Sequence, residues 1–110
     1  MRQAIETMKS VFRQLSSRKA NVPIRTPITL QQGVTLFMPA YLPENEALGV
    51  KVASIYPGNL SKGLPTVTAL ITILDSKTGR PIAVMEGAYL TSLRTGAASG
   101  LATDLLAQKD

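Results

Sequence analysis

Between residues 66 and 86 the chain alternates β-branched and small apolar side chains, breaks once at Asp75-Ser-Lys-Thr-Gly79, and resumes from Pro81. Period-two patterning on both sides of a short turn, with Gly79 free to take the positive φ such a turn needs, describes a β-hairpin with strands over 66–75 and 81–86. The first of these strands, mixing Thr with Val, Ala and Ile, reads as covered on both faces. The period then changes: apolar residues recur at helical spacing over 89–107, so a helix follows the hairpin directly. A hairpin that feeds straight into a helix commits the chain to a layered arrangement of sheet and helix.

On that helix Leu90, Leu93, Ala97, Ala98, Leu101 and Leu105 form one stripe roughly 140° wide, with Arg94 in its middle. A guanidinium cannot be neutralised, so an arginine on a core-facing stripe needs a buried carboxylate or an anionic ligand. Asp104 lies almost three turns away along the helix, too far to pair with it. Structural pairing and ligand binding both remain open at this point. Gly96, Gly100 and Thr103 make a small-residue path on the same helix, and a glycine costs about 1 kcal/mol in a helix interior. Close packing against another helix or a partner subunit is the expected compensation.

Upstream, Ile5, Met8, Val11, Phe12 and Leu15 give a helix over 1–17 with one apolar and one basic face, and no side chain stands before it as a cap. Pro23 and Pro27 hold residues 22–28 extended, as an edge strand that turns Arg25 away from Val22, Ile24, Thr26 and Ile28. After a turn at Gln31-Gln-Gly33, residues 34–38 form a short strand ending at Pro39, and residues 47–56 form another after a polar loop. Lys51 shares its side of that strand with Gly49, Ala53 and Ile55, so it either snorkels from an apolar surface or places its ammonium in a pocket. Residues 57–65, with two glycines and two prolines, are a loop of the kind that carries binding groups at strand ends. The expected fold class is α+β: a mainly antiparallel mixed sheet flanked by an N-terminal and a C-terminal helix, as one domain over 1–110.

Composition narrows the chemistry. There is no cysteine and no histidine, which removes disulfides, thiol nucleophiles, histidine bases and the usual zinc sites, so no metal site is expected. The net charge of +5 is concentrated at the start, where five cations stand against Glu6 alone within residues 1–20. A basic helix can be a nucleic-acid footprint, but with no aromatic platform or binding motif beside it a solvated face is expected and no nucleic-acid partner. No apolar run approaches the roughly 20 residues of a membrane span, so no membrane partner is expected, and the absence of a leader pattern points to the cytoplasm.

Taken together, Gly49-Val-Lys51, the loop from Pro57-Gly-Asn59 to Lys62-Gly-Leu-Pro-Thr66, the hairpin Thr78-Gly-Arg-Pro-Ile-Ala-Val-Met85 and Leu93-Arg-Thr-Gly-Ala-Ala98 resemble the ornithine cyclodeaminase/mu-crystallin family, which includes an archaeal-type alanine dehydrogenase. The resemblance covers nearly the whole chain and is strongest over 48–106. It implies a two-domain, NAD-dependent homodimeric enzyme acting on a small amino acid, ornithine to proline plus ammonia in the leading case. Alanine dehydrogenase or imino-acid (ketimine) reductase are alternatives, and a non-catalytic dimerising or ligand-binding module is a reading of another class. By position, the resemblance assigns Arg25, Lys51, Thr66 and Arg94 to the amino-acid site, with Lys51 as the catalytic residue, and Thr95 to the cofactor phosphates.

The sequence departs from the family after residue 106. Dinucleotide binding needs strand, G-x-G-x-x-G and helix, and the eight glycines never fall in that spacing. The chain therefore reads as the N-terminal substrate-binding and dimerisation portion of such an enzyme, partial at both ends, without the Rossmann domain, and inactive alone.

Overall fold

The computed structural model describes residues 1–108. Its elements run α1 (Arg2–Ser16), β1 (Thr26–Leu30), β2 (Gly33–Leu42), β3 (Ala47–Ile55), β4 (Val67–Asp75), β5 (Pro81–Glu86) and α2 (Ala88–Leu106), with short 3₁₀ turns at Pro43–Asn45 and Pro57–Lys62. The five strands form one sheet in sequence order, every neighbouring pair antiparallel. The α+β class and its two flanking helices are as expected, and the sheet is a plain meander. Gly79 takes its positive φ of 73° in the β4–β5 turn, where the Asp75 carboxylate accepts from the amides of Lys77 and Thr78.

The largest departures from the sequence expectation are at two strand boundaries. The paired edge strand begins at Thr26, and residues 22–25 carry no ladder pairing; before them lies an isolated bridge between Asn21 and Tyr41. Strand β2 does not stop at Pro39 but continues to Leu42. The Tyr41 amide and carbonyl both bond to Asn21, so two residues upstream the backbone of Pro39 also faces that side. Its missing N–H is therefore not one that β3 needs.

Both helices lie on one face of the sheet. That face carries the row Met38, Lys51, Ile71 and Met85 and the row Ala40, Gly49, Ile73 and Ala83. Among the described residues no helix covers the opposite face, so β4 is covered on one side only: Leu70 is 48% exposed and Val84, diagonal to it on β5, 62%. Sequence pattern cannot separate a strand covered twice from one whose second apolar face is left open, because both read as continuous hydrophobicity.

Helix α2 starts hard against β4. The Gly87 amide donates to the Ala69 carbonyl at 2.8 Å, and a Cβ on this buried glycine would sit 3.0 Å from Ala69 Cβ. Helix α1 supplies the partner expected for the small-residue path: the Ile5 side chain packs over Gly100, 3.1 Å from where its Cβ would be, and Met1 reaches Gly96. Ala97 and Leu101, on the stripe identified from sequence, are buried, whereas Leu105 on the same stripe is exposed.

The tail of α1 departs from its apolar pattern. Phe12 and Leu15 face solvent, and the fully buried side chain is Gln14. Its amide nitrogen donates to Asn45 Oδ1 at 2.7 Å, its amide oxygen accepts from the Glu44 N–H, and its main-chain carbonyl accepts from Lys19 and Ala20. Satisfying one polar side chain at the Pro43–Asn45 turn thus turns the end of the apolar stripe outward. Gln14→Ala leaves Asn45 and the Glu44 amide without these partners, and the expected loss is about 1–3 kcal/mol of unfolding free energy in urea titration.

Candidate functional site

Lys51 sits at the middle of β3, paired with Met38 on one side and Ile71 on the other. Strand alternation aims it at the helical layer, toward the first turns of α2. Its ammonium donates to Thr91 Oγ1 across 3.4 Å, and the Thr91 hydroxyl in turn donates to the Gly87 carbonyl at 2.7 Å. Thr91 and Arg94 are three residues apart on one helix, so they share a face. Partial burial first, and then the Arg94 guanidinium, pull the Lys51 ammonium below the ordinary lysine value of 10.5. Among the described residues the ion pairs are Lys19–Glu44 and Lys77–Glu46; neither Lys51 nor Arg94 has a carboxylate partner.

Arg94 is not buried in a helix interface, as its place in the stripe suggested, but exposed. It borders a cavity of about 380 Å³ between the two helices, lined also by Ala4, Met8, Leu90 and Leu93. The periodicity located the stripe correctly but could not reveal that its middle overlooks an open hollow. The sequence suggested a choice between intramolecular pairing and an anionic ligand; the structure supplies no intramolecular pair among the described residues. An ammonium and a guanidinium side by side, both able to donate several hydrogen bonds, are chemically suited to a carboxylate.

The start of α2 is fixed by Glu86, whose carboxylate accepts from the amides of Ala88 and Tyr89. Those two bonds, Tyr89 first, hold Glu86 below the ordinary carboxylate value. They satisfy amides that a helix N-terminus otherwise leaves unpaired.

The other residues singled out from sequence lie around this pair at different distances. Arg25 is exposed and precedes β1 by one position. Thr26 pairs with Phe37, so Arg25 stands unpaired just ahead of β1, a strand that lies two strand spacings, or about 10 Å, from β3. Thr66 lies at the foot of β4, its carbonyl accepting from the Tyr56 amide at 2.8 Å. Lys51 is opposite Ile71, which puts Thr66 about 16 Å along the strand, and among the described residues no hydrogen bond links it to Lys51 or Arg94. Thr95 is exposed on α2, its hydroxyl donating to the Thr91 carbonyl at 2.7 Å. Thr91 was not singled out from sequence, although its spacing of three from Arg94 was a usable signal once Lys51 was suspected.

The model of the ornithine cyclodeaminase/mu-crystallin family matches residues 1–110. The chain belongs to this family. Among its relatives, the alanine dehydrogenase of Archaeoglobus fulgidus is 41% identical over the whole of this chain and 34% of its own length. The Δ1-pyrroline-2-carboxylate reductase of Bacillus cereus is 38% identical over 98% of this chain and 34% of its own. The structure of Thermococcus litoralis Δ1-pyrroline-2-carboxylate reductase in complex with NADH and L-proline superposes on all of this chain with a TM-score of 0.92 and 52% identity, over 35% of that protein. The chain thus spans about a third of the length of the relatives it matches, and its fold is that of their N-terminal part.

Two outcomes are expected. Because Lys51 binds its proton less tightly in the folded chain, the unfolded chain holds more protons between the lowered value and 10.5, and stability rises with pH through that window. Lys51→Met should therefore raise the melting temperature at neutral pH, with the gain shrinking toward pH 10.5 and above. Glu86 behaves oppositely: its contribution is full above the ordinary 4.5 and is lost as pH falls through its lowered value. Glu86→Ala should speed hydrogen exchange at the Ala88 and Tyr89 amides near neutral pH, the difference from the parent chain closing in acid.

Proposed function

We propose that this chain is the amino-acid-binding portion of an NAD(H)-linked enzyme that interconverts a small cyclic imino acid and its amino acid, with Δ1-pyrroline-2-carboxylate and L-proline as the pair. The observation that carries this reading is that Lys51 reaches Thr91, one helical turn from Arg94, while neither cation has a carboxylate partner among the described residues. Two relatives that act on this imine by name, one of them holding NADH and L-proline, support it. Ornithine, the substrate first expected from the resemblance, gives way because these relatives start from a ring already closed. Alanine is the second reading, favoured by the 41% identity to the archaeal alanine dehydrogenase.

In this proposal Arg94 grips the substrate carboxylate with its planar fork. Lys51, held near by Thr91, meets the other carboxylate oxygen or the ring nitrogen, and its weakened hold on a proton suits it to pass one to the nitrogen as the C=N bond is reduced. Arg25, just ahead of β1, adds positive potential, and Thr66, about 16 Å along β4, supplies a hydroxyl only at the outskirts of the site. NAD(H), when bound, supplies the hydride donor or acceptor. The fit on this chain is confined to the exposed Thr95 hydroxyl, which can turn toward a phosphate at the expense of its bond to Thr91; the dinucleotide fold itself would come from sequence outside these residues. The open sheet face, with Phe37, Val50, Val52, Leu70 and Val84, is proposed as the contact between two copies of the protein.

The test is to express the full-length protein and follow NADH with Δ1-pyrroline-2-carboxylate, with pyruvate plus ammonia, and with ornithine. Consumption of NADH with the cyclic imine, and a loss of about tenfold to a hundredfold in kcat/KM for Arg94→Gln, are expected. No turnover of any imino or amino acid would reject the proposal. Light scattering should give two copies, and Leu70→Glu on the open face should give monomers.

A further inference from the structure

The Thr91 hydroxyl has one proton, and the geometry commits it to the Gly87 carbonyl at 2.7 Å. Toward Lys51 it therefore acts as an acceptor only, at 3.4 Å. When Lys51 is neutral, its lone pair is not capped by Thr91, and no other described side chain bonds to its amine. A lysine amine that is part-buried, beside a second cation and free of any carboxylate, has the setting that activates lysines as nucleophiles. The same neighbour, Arg94, is suited to hold the carboxylate of an incoming 2-oxo acid.

We infer that Lys51 captures 2-oxo acids covalently: with the oxo acid's carboxylate held at Arg94, the Lys51 amine condenses with the adjacent carbonyl to form a reversible imine. This rests on the amino-acid site proposed above and adds to it a covalent mode of holding a ligand. The Nζ lone pair forms a bond to the carbonyl carbon while the carbonyl π pair moves to oxygen. The oxygen then leaves as water with the two amine protons, and the C=N bond closes. No oxidant or reductant takes part, so hydrolysis releases both components unchanged. The adduct occupies the residue proposed to move the substrate proton, so a 2-oxo acid would block the site in competition with the amino acid.

The experiment uses the full-length protein without NAD, incubated with pyruvate and cyanoborohydride, which reduces an imine to a stable carboxyethyl-lysine mapped by peptide mass spectrometry. Lys9, Lys19, Lys62 and Lys77 in the same sample are internal controls. Labelling of Lys51 faster than any of these is expected, because its amine meets an accepting hydroxyl and no carboxylate while Arg94 gathers the oxo acid. Formaldehyde, which has no carboxylate, separates the two roles. Arg94→Gln should slow pyruvate labelling of Lys51 far more than formaldehyde labelling, which loses only the help Arg94 gives in freeing the amine; a circular-dichroism melt reports that the variant is folded. Pyruvate labelling spread evenly over all the lysines, or unchanged by Arg94→Gln, overturns the inference. L-Proline and L-alanine should suppress the labelling. Selective, Arg94-dependent labelling that neither amino acid suppresses would leave the capture standing and reject the amino-acid reading instead.

Discussion

Two like charges close enough to repel, one of them bordering a hollow and neither with a carboxylate partner among the described residues, are the constraint on which this domain turns. The arrangement destabilises the folded chain: partial burial and the guanidinium both weaken Lys51's hold on its proton. It persists because each cation is carried by an element fixed through other contacts. Lys51 belongs to a strand paired on both sides along its whole length. Arg94 belongs to a helix whose start is tied down by Glu86 and Gly87 and whose small-residue face is covered by α1. Perturbed cations of this kind concentrate at ligand sites and also occur in structural charge networks.

The same scaffold explains why the layer above the sheet is incomplete around the cations. Helix α1 leans on α2 and is anchored at its far end by Gln14. Cavities remain between α1 and its neighbours, one bordered by Arg94 and another by Leu42 and Ala47. The helical face is thus open beside Arg94, while the other sheet face is bare and apolar. The hollow beside Arg94, lined mostly by apolar side chains, lies on the helical side of the sheet, and the bare apolar face lies on the other.

How much of this was legible in the residues depends on the range of the force involved. Residues 81–86 were placed as a strand from alternation and turn chemistry alone, and the helix after them was misplaced by a single residue at each end. The edge strand was harder: prolines at 23 and 27 marked extended backbone, but extension and ladder pairing are different properties, and only the second needs a neighbour. Gln14 was invisible as a buried anchor because its partners, Glu44 and Asn45, lie about thirty residues away. Arg94 drew notice as an oddity on an apolar stripe, yet whether that stripe met protein or empty space was a question of what lay above it.

The sequence by itself determined the order and kind of the elements, the side of β3 from which Lys51 projects, and the spacing that sets Thr91 and Arg94 on one helical face, because backbone periodicity and turn chemistry act over a few residues. Only the tertiary structure decided that this strand face and this helix face look at each other, that Arg94 overlooks a cavity instead of a core, and that one side of the sheet stays bare. Those outcomes follow from the packing of segments some forty residues apart, where local pattern says which surfaces are apolar or charged but not which of them meet.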